Sequence, residues 1–235
     1  MKIGLAAYSF VNGDIQHNLS QVEKGLRAAG GRVDLLCFGE SFLQGFDALS
    51  WRYEADRTVA VSADSPVMGE LARLAGEYKT DLLLGYFERS GDSLYSSCAV
   101  FIDGRLAYNY RRISKGWKEY SITDEHYREG AETKGFLYQG RRIQLALCGD
   151  LWDFPERFFT DGLLIWPVYV NFTQEEWAGY EAEYAKQAAL AAHTALMVNS
   201  ISHSPESCGG AFCFTGGKTE SRLDFGKEDI LIVEV

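Results

Sequence analysis

A chain of 235 residues with a formal net charge of -10 lacks the basic face of a general nucleic-acid binder, and no apolar run approaches the ~20 residues needed to span a bilayer. Hydrophobic residues at 46% and aromatic residues at 14% suffice to bury the core of one large domain over residues 1–235. Five cysteines (Cys37, Cys98, Cys148, Cys208 and Cys213) form no close pair, and three of them lie in apolar strand-like runs. Reduced thiols and a cytoplasmic protein are therefore expected. The opening residues run straight into a strand pattern, so no cleaved signal peptide is expected either.

Ile3 to Phe10 reads as the first strand. Asn12-Gly13-Asp14 breaks it, and Ile15, Leu19, Val22 and Leu26 then form a helical stripe that Gly30-Gly31 ends. Val33 to Phe38 is a second buried strand, finishing at Gly39-Glu40. Ser65-Pro66 opens another helix, with Pro66 suited to its first turn. After a third strand, Leu82 to Phe87, the pair Asp103-Gly104 stands between two strand-like runs, Tyr95–Ile102 and Leu106–Ile113, a hairpin signal. Arg141 to Leu147 and Gly162 to Val168 are further strands. An Ala- and Glu-rich helix spans about Thr173 to His193, and strands return at Ala195–Asn199 and Ile230–Val235. Strand-helix alternation with added hairpins implies a layered α/β or α+β domain.

Three strand ends carry reactive groups. Glu40 directly follows the second strand. Tyr110-Arg111-Arg112-Ile113-Ser114-Lys115 makes a cationic end to the hairpin. Cys148-Gly149-Asp150 follows the apolar run Ile143 to Leu147. Taken alone, the cysteine reads first as a buried structural residue. In layered α/β folds, however, ligands sit beyond the carboxyl ends of strands, where three such ends can converge. The competing signals are weak. Gly217-Lys218-Thr219 echoes a phosphate loop, but Phe212 stands where that pattern needs glycine, and a strand follows. No histidine or cysteine spacing suggests zinc. His203 as the partner of a cysteine nucleophile is a minor alternative.

Together these segments resemble the nitrilase superfamily, the carbon-nitrogen hydrolases, in a glutamate after the second strand, a Tyr-Arg-cation segment and a Cys-x-Asp segment. Cys208-Gly209-Gly210-Ala211 and the Gly216-Gly217 turn add to the likeness, which runs over nearly the whole chain. The resemblance implies a four-layer α-β-β-α sandwich that pairs as a homodimer through an α face. It implies a hydrolase of small amide, carbamoyl or nitrile substrates that needs no cofactor or metal and has neither nucleic acid nor membrane as a partner. It assigns Glu40 as general base and Cys148 as nucleophile, and the amide of Gly149 helps hold the oxyanion. Glu119 is a candidate for the second glutamate that many members use to orient the reacting groups.

One departure concerns the cation. The position of the family's lysine holds Arg112, which can still stabilise an oxyanion but whose high pKa makes it a poor proton donor. Lys115, three residues on, is the slightly favoured replacement, and Lys118 is a third candidate. Residues three apart in a regular strand point to opposite faces, so Lys115 reaches the site only if the strand has ended or bulges by Ser114. The same departure motivates an alternative function, an inactive relative kept as a binding or regulatory module.

Overall fold

Strand β1 (Lys2–Ala7) shows how the core is divided. Ile3, Leu5 and Ala7 face one apolar cluster, while Ala6 and then Tyr8 face another, the period of two expected of a strand covered on both sides. The same alternation recurs in β2 (Leu35–Cys37), where Leu35 and Cys37 turn inward to the second sheet and Leu36 outward to the helices. The computed structural model, which describes residues 1–235, thus has two faces buried on each central strand.

Helix α1 (Ile15–Ala29) starts at Asp14, whose carboxylate accepts from the His17 N–H, and ends at Gly30 in the left-handed conformation. Helix α2 (Tyr53–Val59) is short. Helix α3 (Pro66–Tyr78) has its proline in the first turn and buries Met68, Leu71, Leu74 and Ala75. The long strands β3 (Asp81–Ser90) and β4 (Ser93–Ile102) are followed by β5 (Arg105–Arg111). Both residues between β4 and β5 have positive φ, 51° at Asp103 and 69° at Gly104, as a tight two-residue hairpin requires. With β12 (Asp229–Glu234) these strands form one sheet in the order β12-β1-β2-β3-β4-β5.

The second sheet takes β6 (Phe136–Tyr138), β7 (Arg141–Leu145), β8 (Leu163–Val168), β9 (Thr194–His203), β10 (Glu206–Thr215) and β11 (Lys218–Arg222), in the order β11-β10-β9-β8-β7-β6. Helix α4 (Asp150–Asp153) and a single 3-10 turn, Pro155–Phe158, lie between β7 and β8, and α5 (Gln174–Ala189) lies between β8 and β9. Each sheet has parallel central strands joined by helical crossovers and antiparallel hairpins at an edge. Helices α1 and α3 cover the first sheet and α5 the second, so the layers run α-β-β-α. No helix is long and apolar enough to cross a membrane.

Of the boundaries that differ from the sequence reading, three have a clear hydrogen-bonding reason. β1 stops at Ala7 rather than Phe10 because the chain crosses to the other sheet, where the Ile201 N–H donates to the Tyr8 carbonyl and the Phe10 N–H to that of Ile201. α5 stops at Ala189 rather than His193. Just beyond it, the Ala191 carbonyl accepts from the Thr160 N–H instead of continuing a helical ladder. β5 stops at Arg111, because the next free N–H groups, those of Ile113 and Ser114, are taken by the Asp150 carboxylate.

Candidate active site

Glu40 stands where β2 has just ended and the two sheets touch. Its N–H donates to the Val168 carbonyl of the second sheet at 3.2 Å. Beneath it lies Gly85 of β3, where a Cβ would sit 2.4 Å from the Ser41 nitrogen and 2.6 Å from the Glu40 Cα. Only glycine lets the two segments approach so closely. The Glu40 side chain is completely buried. Oε1 accepts from Arg112 Nη1 at 2.8 Å and from the Ser96 hydroxyl at 3.1 Å, whereas Oε2 has no partner. A buried carboxylate oxygen without a donor is costly in a folded protein.

Arg112 is the cation that meets it. Neighbouring residues of a strand point to opposite faces, and the two arginines divide accordingly. Arg111 turns to Glu88, with Nε 2.9 Å from Oε2, while Arg112 turns in to Glu40. Its Nε donates to the Ser114 hydroxyl at 2.7 Å, and Nη2 makes no hydrogen bond within the chain. Burial opposes the charge of Arg112, but Glu40, Cys148 and Asp150 outweigh it and hold the guanidinium above its ordinary value.

Lys115, favoured from the sequence, lies elsewhere. It is exposed, with its ammonium 5.5 Å from the centre of the Tyr120 ring. The strand does end early, as that expectation required, but Asp150 fixes Ile113 and Ser114 so that the Ser114 side chain faces in and Lys115 faces out. Lys118 pairs with Glu129 at 2.8 Å and donates to the Tyr127 carbonyl. Glu119 is also exposed and accepts from Ser121 at 2.8 Å, away from the buried pair.

Cys148 follows β7 on a sharp turn with φ at 39°, a left-handed conformation that costs a non-glycine residue about 1–3 kcal/mol. The surrounding bonds hold it there: its N–H donates to the Pro167 carbonyl at 3.0 Å and its carbonyl accepts from the Trp166 indole at 2.9 Å. The thiol lies 3.8 Å from the Tyr169 carbonyl. Burial, with the Glu40 carboxylate beside it, pushes the thiol up to about 12 against the pull of Arg112. It is therefore protonated at neutral pH and needs a base before it can attack. The Glu40 carboxylate and the Cys148 thiol thus lie beside each other.

Asp150 joins the pieces. Oδ1 accepts from the N–H groups of Ile113 (3.0 Å) and Ser114 (2.8 Å), and Oδ2 from Leu147 N–H (2.8 Å) and the Tyr110 hydroxyl (2.6 Å). One carboxylate thereby ties the cysteine turn to the exit of β5. Its role was missing from the sequence reading, as were those of Ser96 and Ser114. The hint for Ser96 was a Ser96-Ser97 pair inside an otherwise apolar strand. No group of three or more His, Cys, Asp or Glu side chains is arranged to hold a metal ion.

The carbon-nitrogen hydrolase model matches residues 2–199. The chain belongs to that family. Among its relatives is an (R)-stereoselective amidase from Pseudomonas sp., 26% identical over 156 residues, which are 66% of this chain and 54% of that protein. An arylacetonitrilase from Aspergillus niger is 28% identical over 106 residues, 42% of this chain and 32% of the relative. The chain thus spans about half the length, or less, of these relatives. Solved carbon-nitrogen hydrolase structures share the fold. An amidase from Nesterenkonia sp. superposes with a TM-score of 0.80 at 18% identity, covering all of this chain and 90% of the other. A CN-hydrolase superfamily protein from Xanthomonas campestris, with an arsenic adduct in its active site, gives 0.80 at 17% identity over 99% and 89%.

Proposed function

We propose that this carbon-nitrogen hydrolase cleaves a small amide through a cysteine thioester, with Arg112 as the cation of the site. The reading is carried by one observation: a buried Glu40–Arg112 pair with a vacant carboxylate oxygen and a vacant Nη2, beside a strained Cys148. Glu40 takes the thiol proton as Sγ attacks the amide carbon. The carbonyl π electrons move to oxygen, where Nη2 of Arg112 and the unpaired N–H of Gly149 receive the charge. Glu40 then returns the proton to the leaving nitrogen, and ammonia or an amine departs. Water, deprotonated by Glu40, attacks the thioester, and the expelled thiolate regains a proton from Glu40.

Arginine suits this role because nothing in the cycle asks it for a proton. The donor to the leaving group is Glu40, and a fixed positive charge suffices at the oxyanion. That removes the chemical objection that motivated the inactive-relative alternative. Nitrile substrates fit the same attack, with a thioimidate at the same carbon, and the named amidase and arylacetonitrilase relatives support keeping both classes. The homodimer implied by the family is assigned to the α4–α5 side, where Trp152, Phe159, Tyr180 and Leu190 are exposed; sedimentation should give twice the chain mass.

The test is ammonia release from a panel of small amides, with intact-mass detection of an acyl adduct. Cys148→Ala is expected to abolish release and the adduct, Arg112→Ala to lower turnover by about 10²-fold or more, and Lys115→Ala to change it by less than about threefold. Equal release by wild type and Cys148→Ala on every substrate would end the proposal.

A further inference from the structure

Gly149 has φ -62° and ψ -11°, a right-handed conformation open to every L-residue, so the backbone does not demand glycine there. Space does. A Cβ at 149 would lie 2.3 Å from Arg112 Nη2, 3.1 Å from Ser114 Oγ and 3.4 Å from Arg112 Cζ. At Gly116, a Cβ would stand 3.2 Å from the same Nη2. The head group cannot rotate away from position 149 without giving up its bonds to Ser114 and Glu40.

We infer that Gly149 is a positioning residue sterically paired with Arg112: its missing side chain is the seat of Nη2, and the pocket is shaped for a guanidinium rather than an ammonium. This rests on the reading above for its catalytic consequence, though the packing itself does not. Lysine at 112 would end one atom sooner, with its nitrogen near the present place of Cζ. The 2.3 Å clash would vanish, leaving the 3.4 Å contact and the 3.1 Å one to Ser114 Oγ, a side chain free to turn once no Nε donates to it. A side chain at 149 therefore fits only when residue 112 is shorter than arginine.

The experiment is a double-mutant cycle of Gly149→Ala and Arg112→Lys in the full chain, read by thermal melting and by the rate of Cys148 acylation. In the wild-type background, Gly149→Ala is expected to lower Tm by about 5 °C or more and acylation by about 10²-fold. In the Arg112→Lys background, the same change should shift Tm by less than about 1 °C and acylation by less than about threefold. Equal effects in the two backgrounds, or none in the wild type, would overturn the pairing. Should Gly149→Ala alone fail to fold, a folded double variant supports the pairing and an unfolded one, with Arg112→Lys folded, refutes it. The melting arm reports on the pairing even if Cys148→Ala proves the hydrolase reading wrong.

Discussion

Asp150→Asn removes one oxygen from a carboxylate that receives four hydrogen bonds. The carboxamide can keep its oxygen toward Ile113 and Ser114, and its NH2 can donate to the Tyr110 oxygen if that hydroxyl turns. The Leu147 N–H, however, then faces another donor in a completely buried place. An unsatisfied buried N–H costs about 1–3 kcal/mol, and the remaining bonds lose about 1–2 kcal/mol together as charge-assisted acceptors become neutral ones. Burial raises the Asp150 carboxyl above its ordinary value, so removing the charge returns part of that loss. The balance is a destabilisation of about 2–4 kcal/mol, a large share of the ~5–15 kcal/mol that holds a domain folded. Urea unfolding at pH 7, followed by fluorescence and far-ultraviolet circular dichroism, measures it. Tyr110→Phe, which deletes one donor, should cost about 1–2 kcal/mol. An Asp150→Asn variant within about 0.5 kcal/mol of wild type would show that the carboxylate is not the tie between the two segments.

Further outcomes concern the charged groups and one glycine. Glu40→Gln removes the carboxylate that, after burial, does most to raise the Cys148 thiol, so the midpoint of iodoacetamide alkylation against pH should move down from about 12, while amide turnover falls by about 10²-fold or more. Gly85→Ala places a Cβ against backbone atoms of Glu40 and Ser41, which cannot yield as a flexible side chain can; urea unfolding should show a loss of about 3 kcal/mol or more. Glu228 is held down to about 2: burial pushes it up, but Lys24 and the hydroxyl and N–H of Ser9 outweigh burial. A carboxyl depressed in the folded state stabilises above its unfolded value, about 4.3, and loses that contribution as pH falls toward 2. Glu228→Gln should therefore be about 1–2 kcal/mol less stable than wild type at pH 7, allowing for solvent screening at Lys24, with the gap closing near pH 2.

Much of this architecture is legible in the sequence. The α1 stripe, the Ser65-Pro66 helix start and the Asp103-Gly104 hairpin are local signals, set by side-chain period, capping and turn chemistry among near neighbours. So is the order in which a carboxylate, a cationic segment and a thiol follow strand-like runs. Glu40 and Cys148 are legible that way, and the carboxylate and the thiol lie beside each other. Which cation faces them is not. Counting along the segment from Arg112 to Lys115 cannot say which side chain turns inward, since the answer depends on where the strand stops. That point is set by Asp150, distant in sequence, which captures the N–H groups of Ile113 and Ser114. A glycine just past a strand suggests a turn residue, yet at this turn the positive φ belongs to Cys148, and the space beside Gly149 is filled by a guanidinium from the other sheet. Sequence alone determined the chemistry available, one thiol and one carboxylate, each just past a strand. Tertiary structure decided which charge faces them, because that choice rests on contacts between segments that meet only when the two sheets close.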